Sequence, residues 1–176
     1  MTKTRKMIFL SLLVSQALVL HLIESMIPVP FITPGAKLGL ANIVTVVSLY
    51  SFGEIETLFV IIVRLILSSM FGGSISSLMY STAGALFSFF IMLFIKRLGR
   101  DKVSLIGVST AGSVFYNIGQ ITMAALIVQN VNISLYLPIL TMSGIGTGFF
   151  VGVTSKYVLN HLNKINSTTK LFDSKG

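Results

Sequence analysis

The sequence predicts an all-α integral membrane protein built as a bundle of six transmembrane helices. Of its 176 residues, 53% are apolar and only 10% are charged, and the mean hydropathy is +0.90. Soluble domains carry about 25% charged residues, so this composition excludes a large soluble domain. Because a helix needs about 20 residues to cross the hydrocarbon core, the chain has room for about six crossings.

The first two predicted spans are separated by a proline-rich break. Lys3, Arg5 and Lys6 precede an apolar segment that lacks a small-residue cleavage site and is too long for a signal peptide, so we expect a retained first span. The segment Pro28–Gly35 contains three prolines in seven positions, and a helix does not continue through such a sequence. The second span follows over residues 36–52.

Polar or glycine-containing turns separate the remaining spans. Gly53–Glu56 precedes the third span, which Arg64 interrupts, and Gly72-Gly73 leads into the fourth. The basic stretch Lys96–Lys102 ends the fourth span, and Gln129–Asn132 separates the last two. We predict one membrane domain over residues 1–165 and a polar tail over 166–176, with spans at 7–27, 36–52, 57–71, 74–95, 103–128 and 134–157.

The positions of the basic residues predict the orientation of the bundle. With six spans, eleven of the thirteen Lys and Arg residues lie on one side, and the exceptions are Lys37 and Arg64. By the positive-inside rule, both termini are then cytoplasmic. The net charge of +8 therefore indicates topology, and we expect no nucleic-acid partner. Basic clusters of this size also favour anionic lipid or a cytoplasmic partner.

Four ionisable residues lie within the predicted membrane domain, where insertion of a charge costs about 2.5 to 3.5 kcal/mol. His21 and Glu24 are three residues apart and share one face near the outer end of the first helix. Lys37 is expected to open the second helix, and Arg64 lies halfway through the third. In this topology all four gather in the outer half of the bundle.

Two interpretations remain open for each of the two cations. At the start of a helix, Lys37 adds to the positive end of the helix dipole and favours an anion such as a carboxylate or phosphate. Alternatively, its side chain extends to the lipid headgroups. Arg64 either contacts a ligand or forms a buried ion pair with Glu24. His21 and Glu24 are too few to predict a metal site.

Uncharged polar residues extend this predicted site. Ser113, Asn117 and Gln120 form one polar stripe on the fifth helix, and Asn42, Tyr80 and Ser81 lie at a comparable depth. Such groups either bond neighbouring helices to each other or line a wet cavity. The predicted substrate-binding residues are Lys37, Asn42, Arg64, Asn117, Gln120, Glu24, His21 and Tyr80.

Small residues mark two predicted packing faces. Gly144, Gly148 and Gly152 recur every four residues on the sixth helix and permit close backbone contact, either within the bundle or with another subunit. Ser11 and Ser15 form a weaker face of this kind on the first helix.

Motifs for catalysis are missing from the sequence. It contains no Walker A motif, dinucleotide-binding glycine pattern, HExxH motif, hydrolase elbow or Asp-rich diphosphate motif, and it has no cysteine. We therefore expect a protein that is not an enzyme and that carries no cofactor and no metal.

One segment gives a family resemblance. The stretch from Pro34 to Thr45, PGAKLGLANIVT, resembles the Gx transporter family, as do Arg64 and the run Asn117–Gln120. That family is also labelled heptaprenyl diphosphate synthase component I. Its members resemble the S components of energy-coupling factor transporters, which are six-helix subunits that bind a micronutrient near the outer surface.

The resemblance implies partners and a binding mode. S components rely on separate transmembrane and ATPase subunits for energy, and Ser11 and Ser15 would face such a coupling subunit in place of the usual alanines. The loop from Pro28 to Gly35 would cover a site lined by the polar residues given above.

Two functions follow as hypotheses. The first is a substrate-binding membrane subunit of a micronutrient transporter, which binds an anionic or amphipathic small molecule. The alternative is a noncatalytic scaffold for a polyprenyl diphosphate synthase or for flavin-based extracellular electron transfer.

Overall fold

The computed structural model describes residues 3–26, 37–71, 75–99 and 102–173, with side-chain surroundings up to residue 164. This part of the chain is helical, without a strand, and a 3₁₀ helix over Val131–Tyr136 precedes the last α-helix. The α-helices are α1 (Lys3–Met26), α2 (Asn42–Ser51), α3 (Glu54–Met70), α4 (Ile75–Gly99), α5 (Leu105–Val128) and α6 (Leu137–Asp173). The last helix therefore runs beyond the predicted end of the sixth span at residue 157.

Four of the helical segments are long and apolar enough to cross a membrane. They are α1, α4, α5 and the segment Val131–Lys164, and they indicate a multi-pass membrane protein. The prediction of six full spans is not confirmed, because α2 has only 10 residues and α3 has 17. At 1.5 Å per residue, α2 covers roughly half of a 30 Å hydrocarbon core.

The second helix begins later than predicted. We expected Lys37 to lie in its first turn, but residues 37–40 are not helical and the helix starts at Asn42. Gly39 has a φ of 89°, which an α-helix does not permit. The N–H of Asn42 then donates to the carbonyl oxygen of Gly39 at 3.0 Å, where the chain turns into the helix. The prediction that Lys37 lies in the first turn of α2 is therefore wrong, and the dipole of this helix does not begin at Lys37.

The predicted glycine face of α6 lies against α5 within the chain. A Cβ atom on Gly148 would lie 2.5 Å from the Cα atom of Thr110, and one on Gly152 would lie 2.8 Å from the Cα atom of Ile106. A Cβ atom on Gly144 would lie 2.9 Å from Nδ2 of Asn117. Such distances are too short for any side chain, so the glycines let the two backbones meet.

Two salt bridges and a partly buried lysine hold together one end of the bundle, which we call the basic end. Lys6 on α1 pairs with Glu56, and Arg97 on α4 pairs with Glu54, so both helices are tied to the start of α3. Hydrogen bonds from these cations hold the pKa of each glutamate below its usual value. Lys96 donates to the carbonyl oxygen of Leu49 at 2.6 Å.

Candidate functional site

The non-helical segment 37–40 takes its hydrogen bonds from side chains of other helices. Gln120 on α5 accepts from the N–H of Lys37 at 2.8 Å, and its Nε2 donates to the carbonyl oxygen of the same residue at 2.7 Å. On α1, Oε1 of Glu24 accepts from the N–H groups of Gly39 and Leu40, the latter at 3.2 Å. Non-helical backbone at membrane depth requires such partners. Glu24 and Gln120 therefore replace bonds that a continuous helix would have made.

The start of α2 lies at the level of Arg64. The Thr57 hydroxyl on α3 donates to Oγ of Ser48 on α2 at 3.2 Å, which aligns the two antiparallel helices. Counting from this contact, Asn42 lies roughly 9 Å and Arg64 roughly 10.5 Å further along its helix. Both side chains are almost completely buried. The break before α2 and the arginine in α3 thus meet at one depth.

Lys37 is buried beside a histidine. Its exposed fraction is 4%, and Nζ lies 2.5 Å from Nε2 of His21. With Lys37 as an ammonium group, which only donates, Nε2 of His21 accepts this hydrogen bond and the imidazole is neutral. With Glu24, Asn42, Arg64 and Gln120, these side chains form what we call the polar cluster.

The charges of the polar cluster do not cancel. By formal charge, Lys37 and Arg64 contribute two positive charges and Glu24 contributes one negative charge. Electrostatic interactions connect Glu24 to both cations, but no N–O contact of 4 Å or less joins Glu24 to Arg64 among the described residues. The ion pair considered for Arg64 is therefore not formed, and the cluster keeps an excess positive charge.

Several polar atoms of the cluster have no hydrogen-bond partner in the described part of the chain. They are Oε2 of Glu24, Nε of Arg64, and both Oδ1 and Nδ2 of Asn42. Each is shielded from solvent, and a buried polar atom without a partner costs about 1 to 3 kcal/mol. Most such groups in proteins are paired. The atoms supply two donors and two acceptors, which suits a ligand with an anionic group near Arg64 and a donor near Glu24.

Six of the eight predicted substrate-binding residues form the polar cluster. A seventh, Asn117, donates to the carbonyl oxygen of Leu140 at 2.7 Å and accepts from Gln120 at 3.4 Å, so it links the cluster to α6. The eighth, Tyr80, is buried on α4, and no described contact connects its side chain to the cluster.

Tyr116, which is not among the predicted site residues, closes the cluster from the α5 side. It is 2% exposed and interacts electrostatically with Glu24 and Arg64. A Cβ atom on Gly39 would lie 3.2 Å from its ring, and one on Gly84 would lie 3.0 Å from it. The signal was present, because Tyr116 follows Ser113 by three residues and so belongs to the face of the polar stripe.

The remaining predicted features lie elsewhere. Ser11 and Ser15 are exposed on α1, and Oγ of Ser15 donates to the carbonyl oxygen of Ser11 at 3.0 Å. The loop predicted to cover the site, Pro28–Gly35, lies entirely outside the described residues. Among the described residues, no group of three His, Asp or Glu side chains is arranged to hold a metal ion.

Comparison with protein-family models gives a match over most of the chain. A protein-family model described as heptaprenyl diphosphate synthase component I matches residues 13–158, a range that contains the whole polar cluster. No curated protein and no solved structure matches the chain.

Proposed function

The chain belongs to the heptaprenyl diphosphate synthase component I family, and from that premise we propose that it is a substrate-binding membrane subunit. Its ligand is a small molecule with an anionic group, held in the polar cluster. The chain itself is not an enzyme in this proposal.

The set of unpartnered buried atoms carries this proposal. A buried charged group without a hydrogen-bond partner destabilises the fold, so a purely structural role does not explain it. Glu24 and Gln120 bond the backbone of residues 37–40, so their placement has a structural explanation. The placement of Arg64 and Asn42 has no such explanation, and a ligand would supply the missing partners of Nε of Arg64 and of the Asn42 amide.

The break in the chain before α2 supports a membrane protein of the transporter type. Discontinuous helices with a break beside the binding site recur in membrane transporters, where the freed backbone and the helix start face the substrate. The positive excess selects an anionic ligand. The resemblance to S components adds the rest of the proposal, namely separate transmembrane and ATPase subunits and a polar cluster that faces the outside of a bacterial cytoplasmic membrane.

The test measures ligand-induced thermal stability of the detergent-purified chain. Vitamins, flavins and isoprenoid phosphates are screened, and a true ligand at 100 times its Kd should stabilise the fold by about 2.7 kcal/mol. In Arg64→Met, that gain should be lost while the ligand-free protein becomes at least as stable as the wild type, because a buried unpaired charge has been removed.

The matched control is Arg97→Met, which removes an arginine at the basic end. This variant should keep the full response to ligand. Absence of any stabilising compound would count against the proposal, as would an Arg64→Met variant that is less stable but still responds to ligand.

A second candidate is a noncatalytic scaffold that holds a synthase at the membrane. The family description supports it, and so does the exposed polar face of α1, with Ser11, Ser15 and Gln16. A scaffold should retain a copurifying partner when Lys37 and Arg64 are both neutralised, and should release it when Ser11 and Ser15 are replaced by leucine.

A further inference from the structure

An apolar groove runs along the outside of the bundle between α1, α2 and α6. Its volume is about 390 Å³. The buried side chains of Leu13, Val44 and Val47 form part of its lining, and the partly exposed Val19 and Val158 lie at its rim. Two polar residues, Ser15 and Gln16, also line it.

One end of the groove lies within about one helical turn of the polar cluster, measured along α1 and α2. Along α1 it extends from Leu13 to Leu20, roughly 10 Å at the helical rise, and Glu24 follows one turn later. Along α2 the lining residue Ile43 directly follows Asn42. A molecule lying in the groove would therefore have one end beside the cluster and the rest along the middle of α1.

We propose that this groove holds the hydrocarbon chain of a single-chain anionic amphiphile whose head group lies in the polar cluster. The proposal rests on the proposed function, since it gives the class of ligand for the same site. Charge complementarity selects the head group, because the cluster has an excess positive charge and an unpartnered Nε on Arg64.

The groove and the cluster have different roles in binding. In a bilayer, lipid tails are as apolar as the groove, so burying a chain there gives little affinity over the surrounding lipid. The affinity therefore comes from the head group, while the groove gives the chain its position and lets the ligand enter from the side of the bilayer.

The absence of tryptophan from the chain allows a direct test. Val19→Trp places one fluorophore at the rim of the groove, where the side chain is 54% exposed, and Val158→Trp does so from α6. Phe90→Trp on α4, with a side chain 60% exposed, is the control at the lipid-facing surface. Each variant is reconstituted in phosphatidylcholine nanodiscs and titrated with octadecyl phosphate brominated at the middle of its chain.

We expect saturable quenching at both groove positions, with only gradual, unsaturable quenching at the control. Adding Lys37→Gln to Val19→Trp should remove the saturable part. Equal quenching at all three positions would overturn the proposal. So would saturable quenching of the groove by a phospholipid with brominated chains, since ordinary bilayer lipid would then be the occupant.

Methyl phosphate separates this proposal from the proposed function. If methyl phosphate stabilises the wild type but the brominated chain gives no saturable quenching, the groove proposal fails and an anion site remains; a partner helix that covers the groove would give this result. If neither probe binds, both the groove proposal and the anion site fail.

Discussion

The basic end and the polar cluster use the same kinds of side chain in opposite ways. At the basic end, Lys6 and Arg97 each bond a glutamate, and both pairs are partly open to solvent. In the polar cluster, Arg64 and Glu24 are buried and do not form an ion pair within 4 Å. The first arrangement joins helices at little cost, whereas the second leaves buried groups that need additional partners.

This difference separates stabilising charges from charges available for binding. An exposed ion pair contributes at most about 1 kcal/mol and is weakened by salt. A buried charge without a partner lowers stability, so its presence calls for another explanation. The same distinction applies within the polar cluster. Oε1 of Glu24 has a structural role because it bonds the backbone, whereas Oε2 has no partner and is available to a ligand.

The largest loss of stability is expected for Glu24→Ala. This change leaves the N–H groups of Gly39 and Leu40 without acceptors, and each buried group costs about 1 to 3 kcal/mol. The measurement is the unfolding midpoint of the purified protein. Glu24→Gln retains an oxygen acceptor and should lose much less; equal losses in the two variants would show that the carboxylate charge matters more than the acceptor.

A smaller loss is expected for Gly39→Ala. Its φ of 89° disfavours a side chain, at a cost of about 1 to 2 kcal/mol. The new Cβ atom would also lie 3.1 Å from Nδ2 of Asn42. The control is Gly146→Ala on α6, where nothing lies within 4 Å of the added atom, so thermal unfolding should be unchanged or slightly raised. Similar midpoints for the two variants would contradict the break at Gly39.

The smallest effect is expected at the basic end and depends on pH. The pKa values of Glu54 and Glu56 are lowered in the folded protein by hydrogen bonds from Arg97 and Lys6. Their contribution is therefore complete above the unfolded carboxyl pKa and is lost as the pH falls through the lowered folded value.

Unfolding midpoints of the wild type and a Glu54→Gln, Glu56→Gln double variant measure this contribution. The difference should be small near neutral pH, should shrink with added salt, and should vanish in acid. A difference that grows as the pH falls would have the wrong sign.

Composition and spacing predicted much of the fold. All six helical segments occur, and the turns at Gly53 and Gln129 lie where polar residues interrupt the apolar pattern. The start of α2 was not predictable in the same way. Residues 38–41, Leu-Gly-Leu-Ala, continue the apolar pattern, yet the segment 37–40 is not helical, and side chains from α1 and α5 bond its backbone.

The sequence by itself determined that this chain belongs in a membrane and which few polar residues do not fit there, because the cost of polarity in lipid depends on residue type. Only the tertiary structure decided what those residues do. Whether a buried oxygen or nitrogen has a partner depends on groups distant in the sequence, as with Gln120 and Lys37. A buried polar atom with a partner inside the chain has a structural role, and one without a partner is a candidate for ligand binding. Among the described residues, Nε of Arg64 is of the second kind.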